Sequence, residues 1–172
     1  MKIFDPKSLK AQGLLEPSLD RKYPFQRLPQ KYKKTVRGEL WDLSENSAGV
    51  CIPFSSNTRK LTVKWSVKND MRMNHMTDAG IKGVDLYEKR GQNWYYFGTG
   101  LPNGSNNEQI FFEDVEKKKR EYCLFLPLYD TMIDIQLGID IDSSFNNISF
   151  QNKPVVFYGT SITQGGCAAR PW

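Results

Sequence analysis

Two stretches of the chain alternate apolar and polar residues with a period of 2. In Leu61-Thr-Val-Lys-Trp-Ser-Val67, the residues Leu61, Val63, Trp65 and Val67 face one way and Thr62, Lys64 and Ser66 the other. That pattern predicts a strand with one buried and one wet face. Ile133-Asp-Ile-Gln-Leu-Gly-Ile-Asp-Ile141 repeats it, with every odd position apolar and Asp134, Gln136 and Asp140 outward. A slip of one residue would turn either strand inside out, so both registers are firmly set. Further strand signals lie at Val36–Leu43, Gly49–Phe54, Gly83–Tyr87, Asn93–Phe97, Gln109–Phe112 and Glu121–Tyr129. Turn-forming stretches at 44–47, 89–92, 102–107 and 115–119 separate them. Strands about ten residues apart with such turns predict an all-β fold, an antiparallel β-sandwich of the jelly-roll kind, over residues 35–150. Pro127, inside an otherwise strand-like run, predicts an edge position or a bulge there.

The two ends of the chain differ from this body. Residues 1–34 keep no sustained period and carry Pro6, Pro17, Pro24 and Pro29 among several Lys and Arg. They predict an extended N-terminal arm laid against the folded body, with one helical turn at Leu9–Leu15. Residues 151–172 form a third segment. Val155–Tyr158 is an apolar, β-branched and aromatic run of the kind that makes a strand buried on both faces. Gly159 ends it, and Thr160, Ser161, Ile162, Thr163 and Gly165-Gly166 follow as a tight turn that would open a helix. A fold can hold a serine in such a turn at the mouth of a parallel sheet.

Composition agrees with strands and turns: 13% of residues are aromatic, with thirteen Gly and nine Pro. The 24 basic and 19 acidic residues give a net charge of +5. The only basic runs, Lys31–Lys34 and Lys117–Arg120, are short and read as solvated loops, so nucleic acid is not an expected partner. No run approaches membrane-spanning length and Met1–Pro6 has no apolar core, so neither a membrane partner nor a signal peptide is read from the chain. Cys51, Cys123 and Cys167 are far apart, and His75 is the single histidine. That spacing supports no zinc site, and no metal or organic cofactor is expected. Cys51 and Cys123 each fall in a predicted strand, where they would pair across a core or, in the reading we adopt, remain buried thiols.

The run Phe157-Tyr-Gly-Thr-Ser-Ile-Thr-Gln-Gly-Gly-Cys167 resembles the first conserved block of the SGNH, or GDSL-type, hydrolases, in a variant with Thr160 in place of the commoner Asp. The resemblance implies that Ser161 is the nucleophile position and its backbone N–H one donor of an oxyanion hole. Arg27-Leu-Pro29, Leu43-Ser44, Ser47-Ala-Gly49, His75-Met76, Gly83-Val-Asp-Leu-Tyr87 and Leu126-Pro-Leu-Tyr129 resemble the domain named for its Gly-x-Asp-Leu-Tyr motif. In that family the domain precedes an SGNH-type hydrolase domain in secreted bacterial esterases, many of them from polysaccharide-degrading bacteria. The resemblance spans about residues 23 to 150. It implies a secreted or periplasmic location and a carbohydrate ester as substrate of the parent enzyme. Residues 35–150 would then be its accessory domain, and residues 151–172 the first strand and nucleophile turn of a truncated hydrolase domain. The family takes its base from a late Asp-x-x-His and further oxyanion donors from a Gly and an Asn in its middle blocks. The 172 residues contain none of these, so the fragment is expected to be inactive and the missing hydrolase domain to be its partner.

Other features keep more than one reading. The cluster Met71-Arg-Met-Asn-His-Met76 is a soft-ligand copper(I) site, a gap-filling loop, or a loop that shapes a substrate entrance, with His75 and Met76 as substrate-binding candidates. In Gly83–Tyr87, Val84 and Leu86 go to the core and Asp85 and Tyr87 to the other face. There Asp85, if covered, would need a partner such as an Arg, which favours a structural or inter-domain role over catalysis. Trp94-Tyr-Tyr-Phe97 has too many aromatics for one buried face. Either Trp94 and its neighbours form a sugar-stacking platform or the arm covers them. Val155–Tyr158 would add to a sandwich edge, pack with the arm, or pair with another copy in a homo-oligomer. A free-standing carbohydrate-binding module and a structural domain without ligand are the alternative functions.

Overall fold

Residues 1–150 are described by a computed structural model of the chain. Strand β1 (Lys2–Phe4) is followed by a short 3₁₀ turn at Gln30–Tyr32, helix α1 (Gly38–Glu45), strands β2 (Cys51–Ser56) and β3 (Leu61–Val67), and helix α2 (Asp78–Lys82). Then come β4 (Val84–Arg90), β5 (Asn93–Gly100), β6 (Asn106–Phe112), β7 (Arg120–Phe125), β8 (Met132–Ile139) and β9 (Phe145–Asn147). They form two antiparallel sheets, one in the order β1-β8-β3-β6 and the other β5-β4-β7-β2-β9. The predicted all-β antiparallel sandwich is therefore what forms.

The period-2 reading of β3 holds along its length. Leu61, Val63, Trp65 and Val67 are buried between the sheets, while Lys64 lies on the opposite, wet face beside Glu108 at 3.3 Å. Burial of each such side chain stabilises the fold by about 1.5–3 kcal/mol. Trp65 adds a directional contact, its indole N–H donating to the Lys82 carbonyl at 3.0 Å. From the facing sheet Ile52, Phe54, Val84, Leu86 and Leu124 complete the core.

The second alternating strand departs from its pattern at one end. Ile135, Leu137 and Ile139 are buried, but Met132 is buried too and Ile133 is exposed. The β3–β8 ladder passes from Ser66 opposite Asp134 to Val67 opposite Met132, so Ile133 is an extra residue in a bulge. One inserted residue flips the alternation from there outward. Ile141 lies past the end of β8 and is exposed.

Three local expectations are corrected. Val36–Leu43 is not a strand: α1 occupies Gly38–Glu45 and buries Trp41, Ser44 and Glu45, three and four residues apart, while Leu40 and Leu43 point to solvent. Tertiary contact secures that helix at its C-terminus, where Arg27 donates through Nη2 to the Leu43 carbonyl at 2.6 Å and through Nε to the Asn46 carbonyl at 3.0 Å. Leu9–Leu15 makes no helical turn, because Gln12 instead exchanges two backbone hydrogen bonds with Cys51 at 2.8 and 3.1 Å. Gly13 follows with φ of +89°, and a Cβ there would come within 2.3 Å of the Gly49 carbonyl oxygen. Pro127 neither sits on an edge strand nor makes a bulge, since β7 has already ended at Phe125.

The arm, residues 1–34, is not extended but runs mostly through turns and bends, and it is integral to the sandwich. Its β1 pairs with β8, and its Leu9 and Phe25 enter the core. Where it lacks regular structure, Arg21 satisfies its carbonyls, donating to Gln26 at 2.8 Å and to Leu19 at 2.7 Å.

Candidate functional site

The Gly-x-Asp-Leu-Tyr stretch is the junction between α2 and β4. A Cβ on Gly83 would lie 2.4 Å from the Ala79 carbonyl oxygen and 3.0 Å from that of Gly100, so only glycine lets the helix turn straight into the sheet. Val84 and Leu86 then face the core and Asp85 and Tyr87 the outer side of the five-stranded sheet, as alternation predicts. Asp85 is only 4% exposed. Its Oδ1 accepts the Thr99 hydroxyl proton at 2.5 Å, and the Tyr96 hydroxyl lies 2.8 Å from Thr99 Oγ1. Thr99 has one proton and gives it to Asp85, so Tyr96 is the donor to Thr99.

Around this polar chain the outer face is dry. Cys51, Cys123 and Phe125 are buried there, with Tyr87 and Trp94 packed against them. Tyr87 meets Phe125 edge to face at 5.4 Å and Tyr96 at 5.8 Å. Beyond β9, the Ile148 N–H donates to the Pro53 carbonyl at 3.2 Å, and the Phe150 ring meets Trp94 edge to face at 5.9 Å. Cys51 is a free thiol, so no bridge joins it to Cys123.

The loop carrying His75 and Met76 is pinned at its base by two buried charged groups. Asp130, fully buried, accepts from the backbone N–H groups of Asn69, Met71 and Thr131 at 3.1, 2.8 and 2.7 Å. Lys82, also fully buried, pairs with Asp70 and, at 3.1 Å, with Asp78. Burial pulls the Lys82 ammonium down, but the two carboxylates outweigh it and its pKa lies above the ordinary lysine value. The hydrogen bond from Lys82 holds the Asp70 carboxyl below its usual range. At the tip His75 is exposed, with Nδ1 2.8 Å from the Asn74 side-chain oxygen. Met76 is half-buried and lies against Gly80, the gap-filling use of a thioether.

Trp94 does not join His75 and Met76 in one site. It pairs with Lys89, five residues along β4 from the Val84 that follows α2, about 17 Å of strand. The arm does not cover the β5 aromatics either. It meets the sheet at Cys51 of β2 and Asn147 of β9, whereas β5 is the opposite edge. Tyr95, Tyr96 and Phe97 are 46%, 60% and 36% exposed. Ser161, Val155–Tyr158 and Cys167 lie outside the described residues. Thr99 was missed from the sequence, and the signal for it is the hairpin register that sets it opposite Asp85.

Residues 1–145 match the family model described as GxDLY, the N-terminus of SGNH-hydrolase-type esterases. The chain belongs to this family. No curated protein matches it significantly. Among solved structures, a GDSL-like lipase from Bacteroides ovatus is similar at 30% identity and a TM-score of 0.87, over 99% of this chain and 50% of that one. The salicylyl-acyltransferase SsfX3 from a tetracycline biosynthetic pathway shares the fold at 16% identity and a TM-score of 0.68, over 99% of this chain and 49% of its own. This GxDLY chain thus spans about half the length of both. No helix among its described residues is long and apolar enough to cross a membrane.

Proposed function

We propose that the sandwich is the accessory domain of an SGNH-type serine esterase acting on carbohydrate acetyl esters, and that Ser161 is the nucleophile position of that enzyme. The observation that carries this reading is the family match over residues 1–145, with the Gly159-Thr-Ser161 block beginning fourteen residues beyond it. In such a reaction the serine oxygen attacks the acetyl carbonyl, a histidine base takes the hydroxyl proton, and the alcohol leaves with a proton returned by that histidine. Water then resolves the acyl-enzyme. The accessory domain would contribute position: the loop tip with His75 and Met76 would line the approach to the serine, on a base held rigid by Asp130 and Lys82.

A chimera tests this directly, with residues 1–172 replacing the matching half of the Bacteroides ovatus protein. It is expected to hydrolyse p-nitrophenyl acetate, with Ser161→Ala lowering kcat by about a thousandfold or more. An unchanged rate in Ser161→Ala would overturn the assignment. The 172-residue chain alone is expected to show no Ser161-dependent hydrolysis. A second reading, a carbohydrate-binding module, is favoured by the exposed Tyr95, Tyr96 and Phe97. Affinity electrophoresis on xylan separates the two, since retardation abolished by Tyr96→Ala would support binding and no retardation would remove it.

A further inference from the structure

We propose that the cleft between the ends of β4 and β7 binds an acidic glycan, a polysaccharide whose sugar rings carry carboxylates. This gives a ligand class to the carbohydrate-binding reading and rests on it. The β4–β7 ladder ends at Glu88 opposite Tyr122. Past that pair, residues 88–91 and 118–121 line an open cavity of about 440 Å³. Five of its eight lining residues are cations: Lys89, Arg90, Lys118, Lys119 and Arg120.

The carboxylates that could neutralise them are already engaged. Glu88 is 8% exposed, and a carboxylate so covered needs opposite charge. It takes Arg90 Nε at 2.7 Å and Arg120 Nε at 3.4 Å. Glu121 pairs with Lys89 at 2.9 Å. Outside the cavity, Glu116 lies 3.7 Å from Arg120 and Asp142 pairs with Lys117. One buried carboxylate therefore holds two guanidinium groups side by side, and the concave wall keeps a surplus of positive charge that draws in an anion. Among the described residues, the Nη groups of Arg90 and the exposed ammonium groups of Lys118 and Lys119 remain as unused donors.

The aromatic residue beside this surplus makes a sugar acid the fitting anion. Tyr95 stands opposite Glu88 in the β4–β5 ladder and is 46% exposed, with the Arg90 guanidinium carbon 5.6 Å from its ring centre. A uronate can lay its pyranose face on that ring and give its carboxylate to the guanidinium fork next to it. Lys118 and Lys119, across the cleft, can take a carboxylate of a neighbouring sugar. RNA would ask for a basic stripe that follows its backbone, whereas here the surplus is confined to one cleft. The site lies at the far end of β4 from α2 and the His75 loop, about 20 Å along the strand, so its work is attachment to the polymer.

Affinity electrophoresis of the 172-residue chain tests this, with polygalacturonate, neutral hydroxyethyl cellulose or poly(U) in the gel and mobility referred to a plain gel. Polygalacturonate is expected to retard the chain. Arg90→Gln, and the double variant Lys118→Gln with Lys119→Gln, should each weaken that binding about tenfold, and Tyr95→Ala about fivefold. Lys33→Gln with Lys34→Gln, which removes equal charge from the other basic run, should change it less than twofold. No retardation by polygalacturonate, equal weakening in the Lys33 and Lys34 variant, a silent Tyr95→Ala, or equally tight binding of poly(U) would each overturn the proposal. Should Arg90→Gln lose the fold with its Glu88 pair, the Lys118 and Lys119 variant decides alone, since both side chains are exposed. Retardation by hydroxyethyl cellulose only, abolished by Tyr96→Ala, would overturn the acidic ligand and leave the carbohydrate reading standing. No retardation by either glycan would overturn both.

Discussion

The outer faces of the two sheets are built on opposite terms. On the four-stranded sheet Lys64, Ser66 and Gln136 look outward, and Lys64 reaches Glu108 across the strands with both side chains about half exposed. That is the wet side expected of a sandwich whose core lies between its sheets. On the five-stranded sheet the corresponding side holds Cys51, Cys123, Phe125 and Asp85, all at 7% exposure or less. Every residue of β2 is buried, as only a strand covered on both faces can be. One sheet therefore has a solvated outer face and the other a buried one. The Gly-x-Asp-Leu-Tyr motif lies on the second, at the start of β4.

If the outer face of the five-stranded sheet is a true packing surface, truncation there should cost as much as truncation in a core. Phe125→Ala is expected to lose about 3 kcal/mol in urea unfolding, in the range of core Phe→Ala changes. A loss below about 1 kcal/mol would make the dry face superficial. The next effect lies on the inner side of the same strand. Burial pushes the Tyr122 hydroxyl up to about 12, from an ordinary 10.0. Between those values the unfolded chain has lost a proton that the folded chain keeps, so stability falls as pH rises through this window. The parent is expected to lose about 2 kcal/mol more than Tyr122→Phe between pH 10 and 12, and parallel curves for the two would show that Tyr122 is not buried as described.

The same contrast explains what the sequence disclosed. Period-2 alternation identified β3, whose two sides meet core and water, and it put Val84 and Leu86 inward. It reads less well where both sides are covered: in β2 or β7 no polar alternation marks the register, and the dryness of the outer face emerges only from packing. The helix α1 was hidden for a related reason. Val36–Leu43 read as a strand, but the residues that α1 buries include the polar Ser44 and Glu45, the latter paired with Lys68 from β3's far end. Ile133 was misplaced because a bulge is set by the partner strand and leaves no mark in its own residues. At the candidate site, Asp85 was legible as a charge needing a partner. Thr99 was not, because its role depends on a hairpin register that shifts between Leu86 and Tyr87.

Two smaller substitutions set the dry face directly against the wet one. Cys123→Ser changes one atom and places a hydroxyl among Cys51, Phe125 and Trp94. It is expected to lose about 1–2 kcal/mol, the cost of a polar group in apolar surroundings. Lys64→Ala, on the other sheet, removes an ion pair with Glu108 whose partners are 48% and 54% exposed. Water already solvates both charges, and holding two long side chains in one geometry costs entropy, so the pair contributes at most about 0.5 kcal/mol. Urea unfolding at low and at 0.5 M NaCl checks the assignment: the small effect of Lys64→Ala should shrink with salt, while that of Cys123→Ser should not. A Lys64→Ala loss above about 1.5 kcal/mol would mean that the four-stranded sheet, too, carries a covered outer face, and the asymmetry between the two sheets would disappear.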